Sequence, residues 1–171
     1  VGAAGADPGP DAVGCAAIYA PYVTDTVISF EDVAPDADQL AERIRDAQRT
    51  HLWLVAERDD EILGYAYAHS FAMRAAYRWS CETSIYLAGA ARGQGLGRAL
   101  YASLLDRLVA LGYRTAFAGI TQPNEASNGL HRALGFEPCG LYRHVGYKHD
   151  AWRDVAWFQR PLGAGPTAPP E

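Results

Sequence analysis

Hydrophobic and polar positions change period several times along the chain, and each change marks an element. From Asp11, the apolar Val13, Ala16, Ile18 and Tyr19 suit a short helix that Pro21 should close, because its ring disfavours the helical conformation just before it. Thr24 to Phe30 is β-branched and aromatic, which predicts an extended segment or a loop with strand character. Asp36 followed by Gln39 is a capping-box pattern, and Leu40, Ile44 and Ala47 then share a helical face among Glu42, Arg43, Arg45 and Asp46. A helix to about Arg49 follows. His51 to Glu57 and Ile62 to Ser70 read as two strands of an antiparallel hairpin around the charged turn Arg58 to Glu61. Phe71 to Trp79 breaks the pattern, and Ser80 to Leu87 resumes it. Leu100, Leu104, Leu108 and Leu111 then recur at helical spacing up to Gly112. Tyr113 to Ile120 predicts a strand, Glu125 to Leu134 a helix ended by Gly135, and Phe136 to Val145 and Trp152 to Gln159 the last two strands. This order gives an α/β (α+β) fold on one mixed sheet. Residues 1–10 show no alternation and are expected to be poorly defined, residues 163–171 form a flexible tail rich in Gly, Pro and Ala, and residues 1–162 read as a single domain.

Composition narrows the function classes. The 171 residues suffice for one domain with a proper core. Charged residues make up 20% with a formal net charge of -5 and no basic run, which argues against nucleic acid as a partner. No apolar run approaches the roughly 18 residues that span a bilayer, and the N-terminus lacks the basic and apolar regions of a signal peptide, so a cytoplasmic protein without a membrane partner is expected. Cys15, Cys81 and Cys139 are far apart and odd in number, and are expected to be reduced and mostly buried. His51, His69, His131, His144 and His149 form no tight ligand set, so no metal is expected.

The richest stretch runs from Ser84 to Leu111, where a strand passes through a glycine-rich turn into a helix. Such a turn brings bare N–H groups near an anion, and the helix adds its positive end, so the stretch is a phosphate cradle. Gly93 and Gly95 are followed by Arg98 where a Rossmann fingerprint needs glycine, and the Gly-Lys-Ser/Thr of a P-loop is absent. What remains is Arg-x-x-Gly-x-Gly, carried by Arg92, Gly95 and Gly97, and it resembles the acetyl-CoA pyrophosphate loop of the GNAT superfamily of N-acetyltransferases. Further blocks resemble one subgroup, the phosphinothricin and methionine sulfoximine N-acetyltransferases. They are Ile28-Ser29-Phe30-Glu31, Ala76-Tyr77-Arg78-Trp79 with Glu82, His131 to Phe136, and Lys148-x-x-x-Trp152-x-Asp154-Val155. Two departures stand out: the family's first strand is not visible in residues 1–11, and Asp150 stands where glycine is common.

The resemblance implies a GNAT fold, a mixed and largely antiparallel twisted sheet flanked by helices, and direct acetyl transfer from acetyl-CoA to a small amino-acid-like amine. An ammonium has no lone pair, and at pH 7 deprotonating an amine of pKa about 8 to 10.4 costs roughly 1.4 to 4.6 kcal/mol. Glu82, a lone carboxylate in its strand and at the position of the family's proposed general base, is the candidate base. His131 and Tyr101, the latter taken to lie in the first turn of the central helix, compete to protonate the leaving thiolate. Cys81 is not expected to act as a nucleophile, because strand alternation puts it on the face opposite Glu82. Cofactor contacts are expected from Leu87, Arg92, Gly93, Gln94, Gly95, Leu96, Gly97, Arg98, Asn124 and Ser127, and substrate contacts from Phe30, Arg74, Arg78, Ser84 and Tyr86. Lys148, Trp152 and Asp154 are expected to be structural, with Trp152 packing and Asp154 pairing a neighbour. The family is commonly dimeric, so a homodimer is expected. A protein N-terminal acetyltransferase on the same fold and a non-catalytic CoA-binding sensor are the alternatives.

Overall fold

The computed structural model describes residues 2–164 and 167; the rest of the expected tail, 165–166 and 168–171, lies outside the described residues. The strands are β1 (Gly2–Gly5), β2 (Trp53–Arg58), β3 (Glu61–Ser70), β4 (Ser80–Leu87), β5 (Thr115–Thr121), β6 (Glu137–Lys148) and β7 (Ala151–Pro161). They form one sheet in the order β1-β2-β3-β4-β5-β7-β6, antiparallel at every step except the parallel pair β4–β5. Helices α1 (Asp11–Thr24), α2 (Ala37–Thr50), α3 (Leu96–Ala110) and α4 (Glu125–Ala133) flank it.

Two N-terminal expectations are corrected and a third is decided between its alternatives. Gly2–Gly5 is a strand, paired with β2 from Gly2 opposite Glu57 to Gly5 opposite Leu54. Gly-Ala-Ala-Gly carries no side-chain alternation, so a strand held by its backbone ladder alone leaves no pattern to read. Helix α1 continues through Pro21 to Thr24. The proline forfeits the bond to the carbonyl four residues back, while burial of Tyr22 and Val23 holds the last turn in place. Of the two readings of Thr24 to Phe30, the loop is the one found after Thr24: the Thr26 hydroxyl donates to the Tyr22 carbonyl (2.6 Å) and itself accepts from the Ile28 N–H (3.1 Å). Local side-chain bonds of this kind displace a ladder.

The remaining elements follow the predicted pattern within a few residues. Asp36 and Gln39 form the reciprocal capping box at the start of α2. Asp59 (φ 51°) and Asp60 (φ 63°) make the tight β2–β3 turn, and His149 (φ 50°) and Asp150 (φ 55°) make that between β6 and β7, so Asp150 takes the backbone conformation that suits glycine. The Asp154 carboxylate accepts from the His144 N–H at 2.8 Å. Trp152 is 61% exposed, contrary to the expected packing role, with its ring against the edge of Tyr147.

The sheet separates two cores. Leu100, Leu104, Leu105 and Leu108 of α3 pack on Leu54, Ala66, Cys81 and Ala116. On the opposite face α1 and α2 bury Cys15, Ile18, Leu40 and Ile44 against Trp53, Val55 and Tyr65. Strand β2 feeds both, with alternate residues, which is why Trp53 to Ala56 read as an unbroken apolar run. The positioning consequence lies at the centre. β4 and β5 pair only from Ser80–Thr115 to Glu82–Phe117, although β4 continues to Leu87 and β5 to Thr121. Beyond Glu82 the two strands part.

Candidate active site

The gap between the parted strands is lined by Thr83 to Tyr86 on one side and Ala118 to Thr121 on the other, and Asn124, Ser127 and His131 close its far wall. At the end of β4 the chain turns through Gly93 (φ 74°) and Gly95 (φ 77°) into α3. Gly95 stands at the helix N-cap in the left-handed conformation, and the first intrahelical bond is from Ala99 N–H to the Gly95 carbonyl. The N–H groups of Leu96, Gly97 and Arg98 therefore lack helical acceptors and can receive an anion. Gly97 serves close packing: a Cβ there would sit 3.0 Å from the end of the Leu87 side chain, which would have to shift for α3 to start this close to β4. Gln94 donates to the Ala90 carbonyl (2.8 Å), and Arg98 is exposed.

Tyr22, which the sequence reading passed over, sits at the mouth of this cradle. Its hydroxyl donates to the Leu87 carbonyl (2.7 Å) and accepts from the Arg92 guanidinium (2.8 Å), which also lies over the ring. The Leu87 carbonyl and Arg92, both expected to meet a cofactor, thus share Tyr22 as a partner. Closing α1 at Pro21 hides this contact, because Tyr22 is then no longer on a helix that faces β4.

His131 and Tyr101 belong to one network. Tyr101 lies in the second turn of α3, not the first, and is fully buried. The His131 Nδ1 lies 2.7 Å from the Ser127 carbonyl, which can only accept, so Nδ1 carries the proton and Nε2 accepts from the Tyr101 hydroxyl at 3.1 Å. Tyr101 in turn meets Thr83 at 2.6 Å. Burial lowers the His131 pKa and raises that of Tyr101, so both rest neutral. Asn124 caps α4 by accepting from the Ser127 N–H (3.1 Å), which fixes the helix that carries His131.

Strand alternation sends Cys81 and Thr83 towards α3, and Glu82, Ser84 and Tyr86 towards α1 and α2. Burial raises the Glu82 pKa above the usual carboxylate range, partly opposed by His69, whose Nε2 is 4.0 Å away. Cys81 is unsuited to a covalent route, since burial pushes its thiol to about 12. Tyr86 packs edge-on against Tyr19 and Tyr22. The loop after α1 covers this face and is held by Lys148, whose ammonium donates to the carbonyls of Val23 (2.6 Å), Ser29 (2.7 Å) and Glu31 (2.9 Å). The Glu31 carboxylate accepts from Arg43 at 2.9 and 2.5 Å and from the Tyr19 hydroxyl at 2.5 Å, and the Arg43 bond first of all holds it below the usual carboxylate range. Phe30, within this loop, packs against Gly146 of β6.

The predicted arginines diverge. Arg78 stacks on Trp79 at 3.8 Å and donates to the Ala75 carbonyl, so its guanidinium is committed to its own loop. Arg74 is exposed, and among the described residues its side chain makes no hydrogen bond. Their loop is anchored beside Glu82 by Phe71, which stacks at 4.2 Å on Phe117, the β5 partner of Glu82. Ser84, Tyr86, Asn124, Ser127 and His131 thus share the gap, while Arg74, Arg78 and Phe30 lie outside its lining. Among the described residues there is no group of three or more His, Cys, Asp or Glu placed to hold a metal.

Comparison with known proteins bears on this geometry. A family model described as the acetyltransferase (GNAT) domain matches residues 10–157. A phosphinothricin N-acetyltransferase from Alcaligenes faecalis is 43% identical over 157 residues, covering 91% of this chain and 80% of that protein. An L-methionine sulfoximine/L-methionine sulfone acetyltransferase from Pseudomonas aeruginosa is 34% identical, covering 93% of this chain and 94% of that one. Among solved structures, a GNAT superfamily phosphinothricin acetyltransferase from Sinorhizobium meliloti in complex with AcCoA superposes with a TM-score of 0.94 at 39% identity, covering 99% of this chain and 93% of the other.

Proposed function

Because the chain belongs to the GNAT acetyltransferase family, we propose that it transfers acetyl from acetyl-CoA to the amino group of a small amino-acid-like substrate of the phosphinothricin or methionine sulfoximine/sulfone type, with Glu82 as general base. The observation that carries this reading is the parting of β4 and β5 immediately beyond Glu82, between an anion cradle on one side and a polar, roofed face on the other. The donor enters from the α3 side, its pyrophosphate on the N–H groups of Gly95 to Arg98 and its arm past Leu87, Asn124 and Ser127; the Sinorhizobium meliloti relative is solved with AcCoA. The amine enters from the α1–α2 side, among Ser84, Tyr86 and Phe30, with Arg74 free to meet its acidic group.

Glu82 removes a proton from the ammonium, directly or through a water, and its raised pKa brings it nearer to the range where a base works at neutral pH. The freed nitrogen attacks the thioester carbonyl, and the departing sulfur takes a proton. His131 faces the gap whereas Tyr101 lies behind it, which supports His131 as the group nearer the sulfur; its one proton sits on Nδ1 against the Ser127 carbonyl, so that bond must open for the proton to pass, while Tyr101 holds Nε2. The exposed Leu141, Tyr142, Val145 and Tyr147 of the edge strand β6 together with Trp152 of β7 support a homodimer through that edge, testable by sedimentation. Among the described residues no helix is long and apolar enough to cross a membrane; a cytoplasmic site of action is a separate part of the proposal. Mass spectrometry of purified protein with acetyl-CoA and phosphinothricin, methionine sulfoximine, methionine sulfone, polyamines and an N-terminal peptide tests the assignment. Acetylation of the first three is expected. Acetylation of the peptide alone selects the protein-directed alternative, and acetyl-CoA binding without any product selects the sensor.

A further inference from the structure

Transfer of acetyl to an ammonium releases two protons from nitrogen. The CoA sulfur takes one, and the other must reach solvent before Glu82 can act again. Of Glu82 and its strand neighbour His69, Glu82 is the less open to solvent, with a side chain 26% exposed. The antiparallel register of β3 and β4 sets His69 directly opposite Glu82. The His69 Nδ1 lies 3.1 Å from the Ser70 carbonyl, so in the neutral ring Nδ1 carries the hydrogen and Nε2 presents its lone pair. That Nε2 is the atom 4.0 Å from Glu82 Oε2, a gap that a small rotation or one bridging water closes, and the His69 side chain is 45% exposed.

We propose that His69 is a positioning residue acting through Glu82, the relay that returns its proton to solvent; this rests on the acetyl-transfer reading. The O–H bond of the protonated Glu82 breaks, its electron pair stays on the carboxylate, and the Nε2 lone pair forms the new N–H bond. The imidazolium, steadied by the carboxylate it has just recharged, then passes the proton to water or buffer. The surroundings leave Glu82 as its partner. On the far side His69 lines a recess with Arg43 and Asp46 of α2 and with His51. Arg43 is bound to Glu31, Asp46 lies 3.6 Å from Arg49, and His51 is stacked on Tyr113 with its own pKa lowered by burial. Tyr67, whose ring centroid is 6.0 Å away, has its pKa raised by burial and stays neutral.

The test has two readouts. In NMR spectra of the whole chain at one fixed pH, Glu82→Gln should move the His69 imidazole nitrogen resonances, because the facing carboxylate is removed. In dilute buffer, His69→Asn should lower kcat about tenfold with KM for acetyl-CoA unchanged, and added imidazole should restore much of the loss; His69→Gln serves as a second replacement. His69 resonances that do not move in Glu82→Gln overturn the relay, and so does wild-type turnover in His69→Asn without an effect of imidazole. If the wild-type chain acetylates no amine, the proposed activity fails, and the spectra alone still judge the pairing.

Discussion

The two sides of β4 are built from different materials. On the α3 side the cradle is backbone: three glycines within five residues, a helix end, and N–H groups left free by helix geometry. On the α1–α2 side the chamber is made of side chains drawn from across the chain, as in Lys148, which reaches carbonyls 117 to 125 residues away. A backbone site is specified by a short run of sequence and tolerates variation around it. A side-chain site depends on remote elements packing correctly, so it can be retuned for a new amine while the donor half stays the same.

Substitutions on each side should have separable effects. The largest is expected at the junction: Glu82→Gln should lower kcat by about 10² to 10⁴-fold, the usual yield of a positioned base. Thermal unfolding should show no accompanying loss of stability, because burial already disfavours the charged carboxylate in the folded state. Next comes Lys148→Met, which strips three buried carbonyls of a charged donor. It should cost about 3 kcal/mol in denaturant unfolding and loosen the loop after α1.

On the donor side, Gly95→Ala forces a left-handed φ on a residue with a Cβ and should cost about 1 kcal/mol, with a several-fold higher KM for acetyl-CoA. The smallest effect concerns the Glu31–Arg43 pair. Glu31 is held below its ordinary pKa, so its contribution to stability is present above the unfolded carboxyl value and is lost as pH falls through the lowered one. Arg43→Ala should flatten that acid limb by less than about 1 kcal/mol, since Arg43 is 45% exposed and screened.

The same division explains what could be read beforehand. Strand β4, the glycine turn and α3 announce themselves by a change of period within one stretch, and the cradle residues Arg92 to Gly97 lie where that pattern predicts. Glu82 stands out because it is the one carboxylate in its strand. His69 becomes visible only with the β3–β4 register, which depends on the length of the intervening loop. Tyr22 and β1 escaped for physical reasons: a helix can run through a proline when tertiary packing holds its last turn, and a Gly-Ala strand has no face to alternate. The stacking of Arg78 on Trp79 follows from local loop geometry that composition does not encode.

Two-substrate steady-state kinetics on Lys148→Met and Gly95→Ala, measured side by side with the wild-type chain, tests whether the molecule holds two separate half-sites. Lys148→Met should raise KM for the amino acid and leave that for acetyl-CoA within about twofold, and Gly95→Ala should do the reverse. Parallel rises of both constants in both variants would contradict the division at β4.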